Sequence, residues 1–159
     1  MIRQFQSLAR DEGGASIIEM GLMLPILASL LIGMVDISRA YSAKLLLEQS
    51  AYRAIEKVQQ YNTVESTYDT LKNEAASAAN SAGFSNVTSS DVTIDYWLEC
   101  NGTRQSNYDT VCSSGQTYAR WITVDITANF TPMFSSSRWP GSNTDGTYTL
   151  HGKAGLRTQ

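Results

Sequence analysis

Histidine, cysteine and proline are scarce in this chain: one His, two Cys and three Pro in 159 residues. A lone histidine, His151, leaves a histidine-built metal site or a Ser-His-Asp arrangement little to work with, and reads as a strand-surface residue. Two cysteines exclude a cysteine-rich zinc site and a dense disulfide scaffold. Positive charge is not in excess either. Twelve Lys and Arg stand against 15 Asp and Glu, a net charge of −3, so the chain carries no basic footprint for nucleic acid. Internal repeats are absent. The remaining catalytic patterns are weak. Asp91, Asp95 and Glu99 share one strand face, where a solvated surface outweighs an acid–base pair. Asn143, Asp145 and Gly146 match part of a calcium loop, but Gly141 and Gly152 occupy its first and twelfth ligand positions, so a hairpin turn is the better reading. Neither an enzyme nor a cofactor is expected.

What the chain does have is one long apolar run, residues 15–35, with a single carboxylate, Glu19, near its start. As a helix this run would rise about 30 Å, the thickness of a bilayer core. It exceeds the apolar core of a cleaved secretory signal, about 7–15 residues, and no clear small-x-small site follows it. A retained anchor in the lipid bilayer is expected, after a leader at 1–14 and before a head at 36–159. Flanking charge leaves orientation open, because Arg3, Arg10, Asp11 and Glu12 precede the run and Arg39 and Lys44 follow it.

Helical spacing continues past the run through Ile37, Ala40, Tyr41, Leu47, Ala51, Ala54, Ile55 and Val58. The reading is one helix from about 15 to 59, apolar and then amphipathic, its 36–59 part belonging to the head. Asn62 and Glu65 form a capping box for a second helix over about 63–82, stopped by Gly83. The period then drops to two. Strands are expected at about 91–99, 118–130 and 147–157. A helix pair followed by a small antiparallel sheet is an α+β arrangement. Trp97, Trp121 and Trp139, with Tyr96, Tyr108 and Tyr118, read as cross-strand packing before a contact surface. Cys100 and Cys112 sit in the connection between the first two strands. In an exported domain such a pair is most simply one disulfide, worth roughly 3 kcal/mol in the chain-entropy picture. In a cytosolic protein they would be two free thiols.

Within the apolar run, Gly21, Pro25, Ser29 and Gly33 recur every four residues on one helix face. Small residues so spaced permit close helix–helix approach in lipid, although Gly and Pro are also common in membrane helices generally. Pro25 lacks an N–H and would press on the carbonyl of Gly21, favouring a kink.

The run Gly14-Ala15-Ser16-Ile17-Ile18-Glu19-Met20 places Glu at the fifth position after a Gly, the pattern of a type IV prepilin. With Leu24-Pro25, Gly33, Arg39-Ala40-Tyr41 and Gln49-Ser50-Ala51, it resembles the TadE/TadF-like minor pilins, or pseudopilins, of the tight-adherence (type IVc) pilus. The resemblance covers about residues 10–60. It departs at Met20, where an aromatic is common in that family, and at Ser38, where Gly is common. It implies cleavage by a prepilin peptidase between Gly14 and Ala15, and pairing of the freed Ala15 amine with Glu19. Implied partners are sister major and minor pilins and the inner-membrane assembly platform. The implied location is the bacterial inner membrane, leader inside and C-terminus outside, or the pilus itself. The rival reading is a membrane-tethered periplasmic binding or enzymatic domain whose anchor stays uncleaved.

Overall fold

A computed structural model describes residues 12–60 and 67–158, with side chains described for 16–57 and 70–158. The chain divides into two units, Met1–Arg39 and Ala40–Gln159.

The first unit holds the N-terminal part of helix α1, which spans Glu12–Gln60. The helix starts three residues before the expected Ala15, so Gly13 and Gly14 lie in its first turn. Each Gly costs about 1 kcal/mol relative to Ala. Propagation of a long helix outweighs that, because each added residue brings a hydrogen bond without a new nucleus. Pro25 lies inside the helix without ending it. Nearby, the Ser29 hydroxyl donates to the Ile26 carbonyl at 2.8 Å. Arg39 pairs with Asp36 at 3.2 Å, one turn apart, where the apolar run has ended.

In the second unit α1 turns amphipathic. Leu47, Ser50, Ala51, Ala54 and Ile55 are buried, a stripe at spacings of three and four that marks one helix face. Ser50 is tolerated there because its hydroxyl donates to the Leu46 carbonyl at 2.8 Å. Helix α2 spans Thr67–Ser81 and turns Leu71, Ala75, Ala76 and Ala79 into the same core. Lys57 of α1 and Glu74 of α2 form an ion pair. The expected capping box at Asn62 and Glu65 lies outside the described residues. The stop at Gly83 has a clear geometry. Gly83 takes φ +104°, its N–H donates to the Asn80 carbonyl, and the Phe84 N–H reaches back to Ala79 at 3.2 Å. This is a Schellman cap. The Asn80 side chain then bonds the Val87 carbonyl at 2.7 Å and the Val87 N–H at 3.1 Å, directing the chain towards the sheet.

The sheet is antiparallel, in the order β2-β1-β3-β4. Its strands are β1 (Val92–Cys100), β2 (Thr103–Arg104), β3 (Tyr118–Phe130) and β4 (Tyr148–Arg157). Three lie within a residue or so of their expected places, and the fold is α+β as expected. In register, Val92 faces Ile126, Ile94 faces Val124, and Val124 faces Ala154. These side chains fall on one face and complete the core with the two helices. β2 is the strand the alternation did not reveal, since two residues are too few to show a period. Its turn is written in the chain all the same. Asn101 (φ 50°) and Gly102 (φ 77°) link Cys100 to its partner Thr103, the two-residue hairpin for which Asn-Gly is the preferred pair.

On the core face, β4 approaches α1 very closely at Gly152. A Cβ there would fall on the carbonyl carbon and Cβ of Leu47, with the Glu48 nitrogen at 2.7 Å. Only glycine fits this contact without moving one element.

Candidate functional site

The site proposed by the sequence is a helix surface rather than a cleft. From Ser16 onward α1 is long and apolar enough to cross a membrane, and its most apolar stretch is wholly unburied. Ile17 is 74% exposed and Met34 is 70% exposed. Side chains of that size, left uncovered over five turns, call for lipid or other helices as their solvent. Gly21 and Gly33 have nothing within 4 Å of where a Cβ would stand. Pro25 and Ser29 lie between them at four-residue spacing on the same helix. Glu19 is exposed on the same helix. It follows Ala15 by four residues, about 6 Å along the axis, so the fold places the two one turn apart.

The family model of TadE-like proteins matches residues 14–55. This chain carries a TadE-like segment. The segment begins at Gly14, takes in Glu19 and the Gly21–Gly33 strip, and ends at Ile55 on the stripe that α1 buries against the head. TadE-like proteins are structural, pilin-like proteins associated with the Tad pilus, not enzymes. No curated protein and no solved structure matches the chain.

The head beyond the TadE-like segment carries the other residues singled out in the sequence, and mostly ties them to one another. Cys100 and Cys112 are disulfide-bonded, with their Cα atoms 5.7 Å apart, so the connection after β1 is closed on itself. Asp95 and Glu99 lie on the outer sheet face, each already engaged. Asp95 takes a two-point contact from Arg104, at 2.7 and 3.2 Å. Glu99 accepts the indole N–H of Trp97 at 2.8 Å and that of Trp121 at 3.1 Å. Trp97 and Trp121 face each other across β1 and β3 and stack at 6.2 Å, while the Arg104 guanidinium covers Trp97 at 4.7 Å. The whole group is a closed ladder of cation, two rings and a carboxylate that clasps both indoles. Its polar groups bond one another within the sheet. Tyr96 meets Tyr108 edge-on at 5.2 Å. Trp97 and Trp121 therefore pack across strands as expected, and Tyr96 packs on Tyr108 of the β2–β3 loop, whereas Tyr118 on β3 is 54% exposed and Trp139 on the β3–β4 loop is 56% exposed.

His151 sits on the outer face of β4, with Nδ1 3.2 Å from Asp125 Oδ1, while Lys153 pairs with the other carboxylate oxygen, Oδ2, at 3.1 Å. Among the described residues no group of His, Cys, Asp and Glu is arranged to hold a metal ion. Asp145 is a turn residue. Its carboxylate accepts the Thr147 hydroxyl at 2.7 Å and the Thr147 N–H at 3.0 Å, and these bonds hold its pKa below the usual aspartate value. Asp91 belongs to a 3-10 turn, Ser89–Asp91, that precedes β1 rather than to the strand face. The Thr88 N–H and hydroxyl, both at 2.8 Å, bond the Asp91 carboxylate and hold its pKa low in the same way.

Proposed function

We propose that the chain is a minor pilin or pseudopilin subunit of a tight-adherence pilus, processed by a prepilin peptidase and working by helix packing with other pilins. One observation carries this reading. The TadE-like match opens at Gly14, on a helix whose apolar surface is unburied and whose exposed acid, Glu19, stands at the fifth position after that glycine. Gly13 and Gly14 are the residues that weaken the first turn of α1, so the backbone of the Gly14–Ala15 bond can open to a protease at low cost. Cleavage would leave a cationic amine on Ala15. A lone carboxylate at lipid depth costs about 2.5–3.5 kcal/mol on insertion scales, and the amine of the same or a neighbouring subunit would offset it. The strip at Gly21, Pro25, Ser29 and Gly33 would then seat a sister helix as the subunit leaves lipid for the bundle. The head faces the periplasm or the cell surface, where Cys100–Cys112 is stable.

The test is the first residue of the protein recovered from membranes. Intact-mass analysis should show loss of residues 1–14, and Gly14→Phe should abolish that loss. A full-length chain persisting beside an active prepilin peptidase would refute the processing step and favour a tethered periplasmic domain.

A further inference from the structure

The loop of residues 131–147, between β3 and β4, is unlike the rest of the head surface. Beyond α1, the exposed large apolar side chains among the described residues are Val111, Tyr118, Met133, Phe134 and Trp139. Three of these five share this loop. Met133 is 61%, Phe134 59% and Trp139 56% exposed.

They are not held outward by slack in the chain. The Trp139 carbonyl accepts the Ser142 N–H at 3.1 Å and the Ser142 hydroxyl at 2.8 Å. The Asn143 N–H bonds the Thr147 carbonyl at 2.8 Å, and the Ser135 hydroxyl reaches the Asp145 carbonyl at 3.3 Å. Gly146 lies so close to Ser135 and Ser136 that a Cβ would not fit. The two limbs of the loop are therefore tied together, and the backbone presents three apolar side chains to the outside.

The direction of β4 says which end of the head this is. Gly152 abuts Leu47 of α1, and further along β4 residues 153–155 share a cleft with Tyr52. Strand and helix therefore run the same way, and the start of β4 lies towards Ala40. Its partner there is the last residue of β3, since Tyr148 pairs with Phe130. The loop emerges from this Ala40 end, while the disulfide-closed connection lies at the other end of β1 and β3. Ala40 follows Val35, the last residue of the apolar run, by five residues. Covalent reach alone keeps it within about 18 Å of that residue.

We propose that the 131–147 loop seats Met133, Phe134 and Trp139 in the headgroup boundary of the bilayer that residues 15–35 cross. The chemistry fits that layer. Indole carries an apolar body and one donor, and is at home between chains and headgroups. Met133 and Phe134 supply apolar depth. Arg138, adjacent to Trp139, can extend its guanidinium to lipid phosphate while its stem stays with the apolar layer. The loop thus gives the head a foothold of its own in lipid. This rests on the reading of residues 15–35 as a membrane span.

The test uses the full chain in vesicles of phosphatidylcholine and phosphatidylglycerol at low protein-to-lipid ratio, with Trp139→Phe as the comparison. Flotation reports the span. The difference between wild-type and Trp139→Phe emission reports the loop. That difference should be blue-shifted, lost for the most part when the lipids carry bromine near the headgroup end of their chains, and insensitive to iodide. Flotation with a Trp139 signal quenched by iodide and untouched by bromine would overturn the loop contact alone. A signal shielded from both quenchers would overturn it in favour of a neighbouring protein surface. Failure to float would sink the span and the loop contact together. Trp139 is exposed and bonds only through its backbone, so the variant should keep the near-ultraviolet spectrum of the Trp97–Trp121 pair. Met133→Ser with Phe134→Ser should reproduce the loss of lipid quenching in an otherwise wild-type chain.

Discussion

Replacing Gly152 by alanine should loosen the head far more than its one methyl suggests. The added Cβ would meet the Leu47 carbonyl carbon and Cβ, and would stand 2.7 Å from the Glu48 nitrogen. Ordinary contact between such atoms is about 3.5–4.0 Å, so strand and helix would have to separate by roughly 1 Å. The obstacle is helix backbone, which cannot swing aside as the end of a side chain can. Leu47 is fully buried, so moving it also opens space among Ala51, Ile126 and their neighbours. Overpacking of this kind costs about 1–3 kcal/mol, and backbone on both sides places it in the upper part of that range. Alanine recovers up to about 1 kcal/mol by restricting the unfolded chain. The net expectation is a loss of about 2 kcal/mol, or on the order of 8 °C in Tm for a head of this size. Gly155 is the matched control, three residues along the same strand. A Cβ there meets the Thr123 Cγ2 at 3.2 Å, the end of a side chain, and the Ile122 carbonyl oxygen at an ordinary 3.8 Å, and Gly155→Ala should stay within about 0.5 kcal/mol of wild type. Thermal and urea unfolding of the full chain in detergent, followed by near-ultraviolet circular dichroism, would separate the two. Equal stability of the two variants would refute the close packing of β4 on α1.

Glu19→Gln should leave membrane insertion intact and abolish co-purification with sister pilins; wild-type assembly in that variant would refute charge pairing with the Ala15 amine. Opening the Cys100–Cys112 bridge with reductant, or by Cys100→Ser with Cys112→Ser, should lower head stability by about 3 kcal/mol, and non-reducing peptide mapping of exported protein should recover the linked peptide. Asp91 has its pKa lowered by Thr88, so its contribution is present above the unfolded aspartate value of about 4 and is lost as pH falls through the lower folded value. The stability gap between wild type and Asp91→Ala, about 0.5–1 kcal/mol for exposed hydrogen bonds of this kind, should therefore be full at pH 6 and close towards pH 2.

Much of the architecture can be read from local pattern. Alternation along residues 118–130 produces a strand because one side must face the helices and the other water. Leu47 through Ile55 announce a helix face for the same reason at the longer period. Gly83 announces its own cap. The Asn101-Gly102 pair is equally legible as a turn, but the strand after it, only two residues long, is too short to show alternation. What the sequence could not reveal depends on distant residues meeting. Nothing local distinguishes Gly152, pressed on the backbone of Leu47, from Gly155, which faces the end of the Thr123 side chain. The clasp of Glu99 on two indoles needs the register of β1 against β3 before it can be seen. Trp139 resembles the other two tryptophans in composition and differs from them only in where the chain puts it. In the proposed helix surface, Glu19 is legible from its fifth position after Gly14, and Gly21, Pro25, Ser29 and Gly33 from their four-residue spacing, properties that survive without tertiary information.

The order β2-β1-β3-β4 has a bearing on how copies of this head avoid sticking to one another. Every open sheet has two rims of unpaired amide groups, and wherever copies are crowded these rims invite strand addition and tangling. Here one rim is β4, where His151, Lys153 and Arg157 stand on the outer face beside two glycines, a poor template for a new strand. The other rim is β1 with its stub β2, and the Arg104–Asp95 clamp stretches back along it. A head guarded in this way resists lateral β-polymerisation, whatever it stands beside.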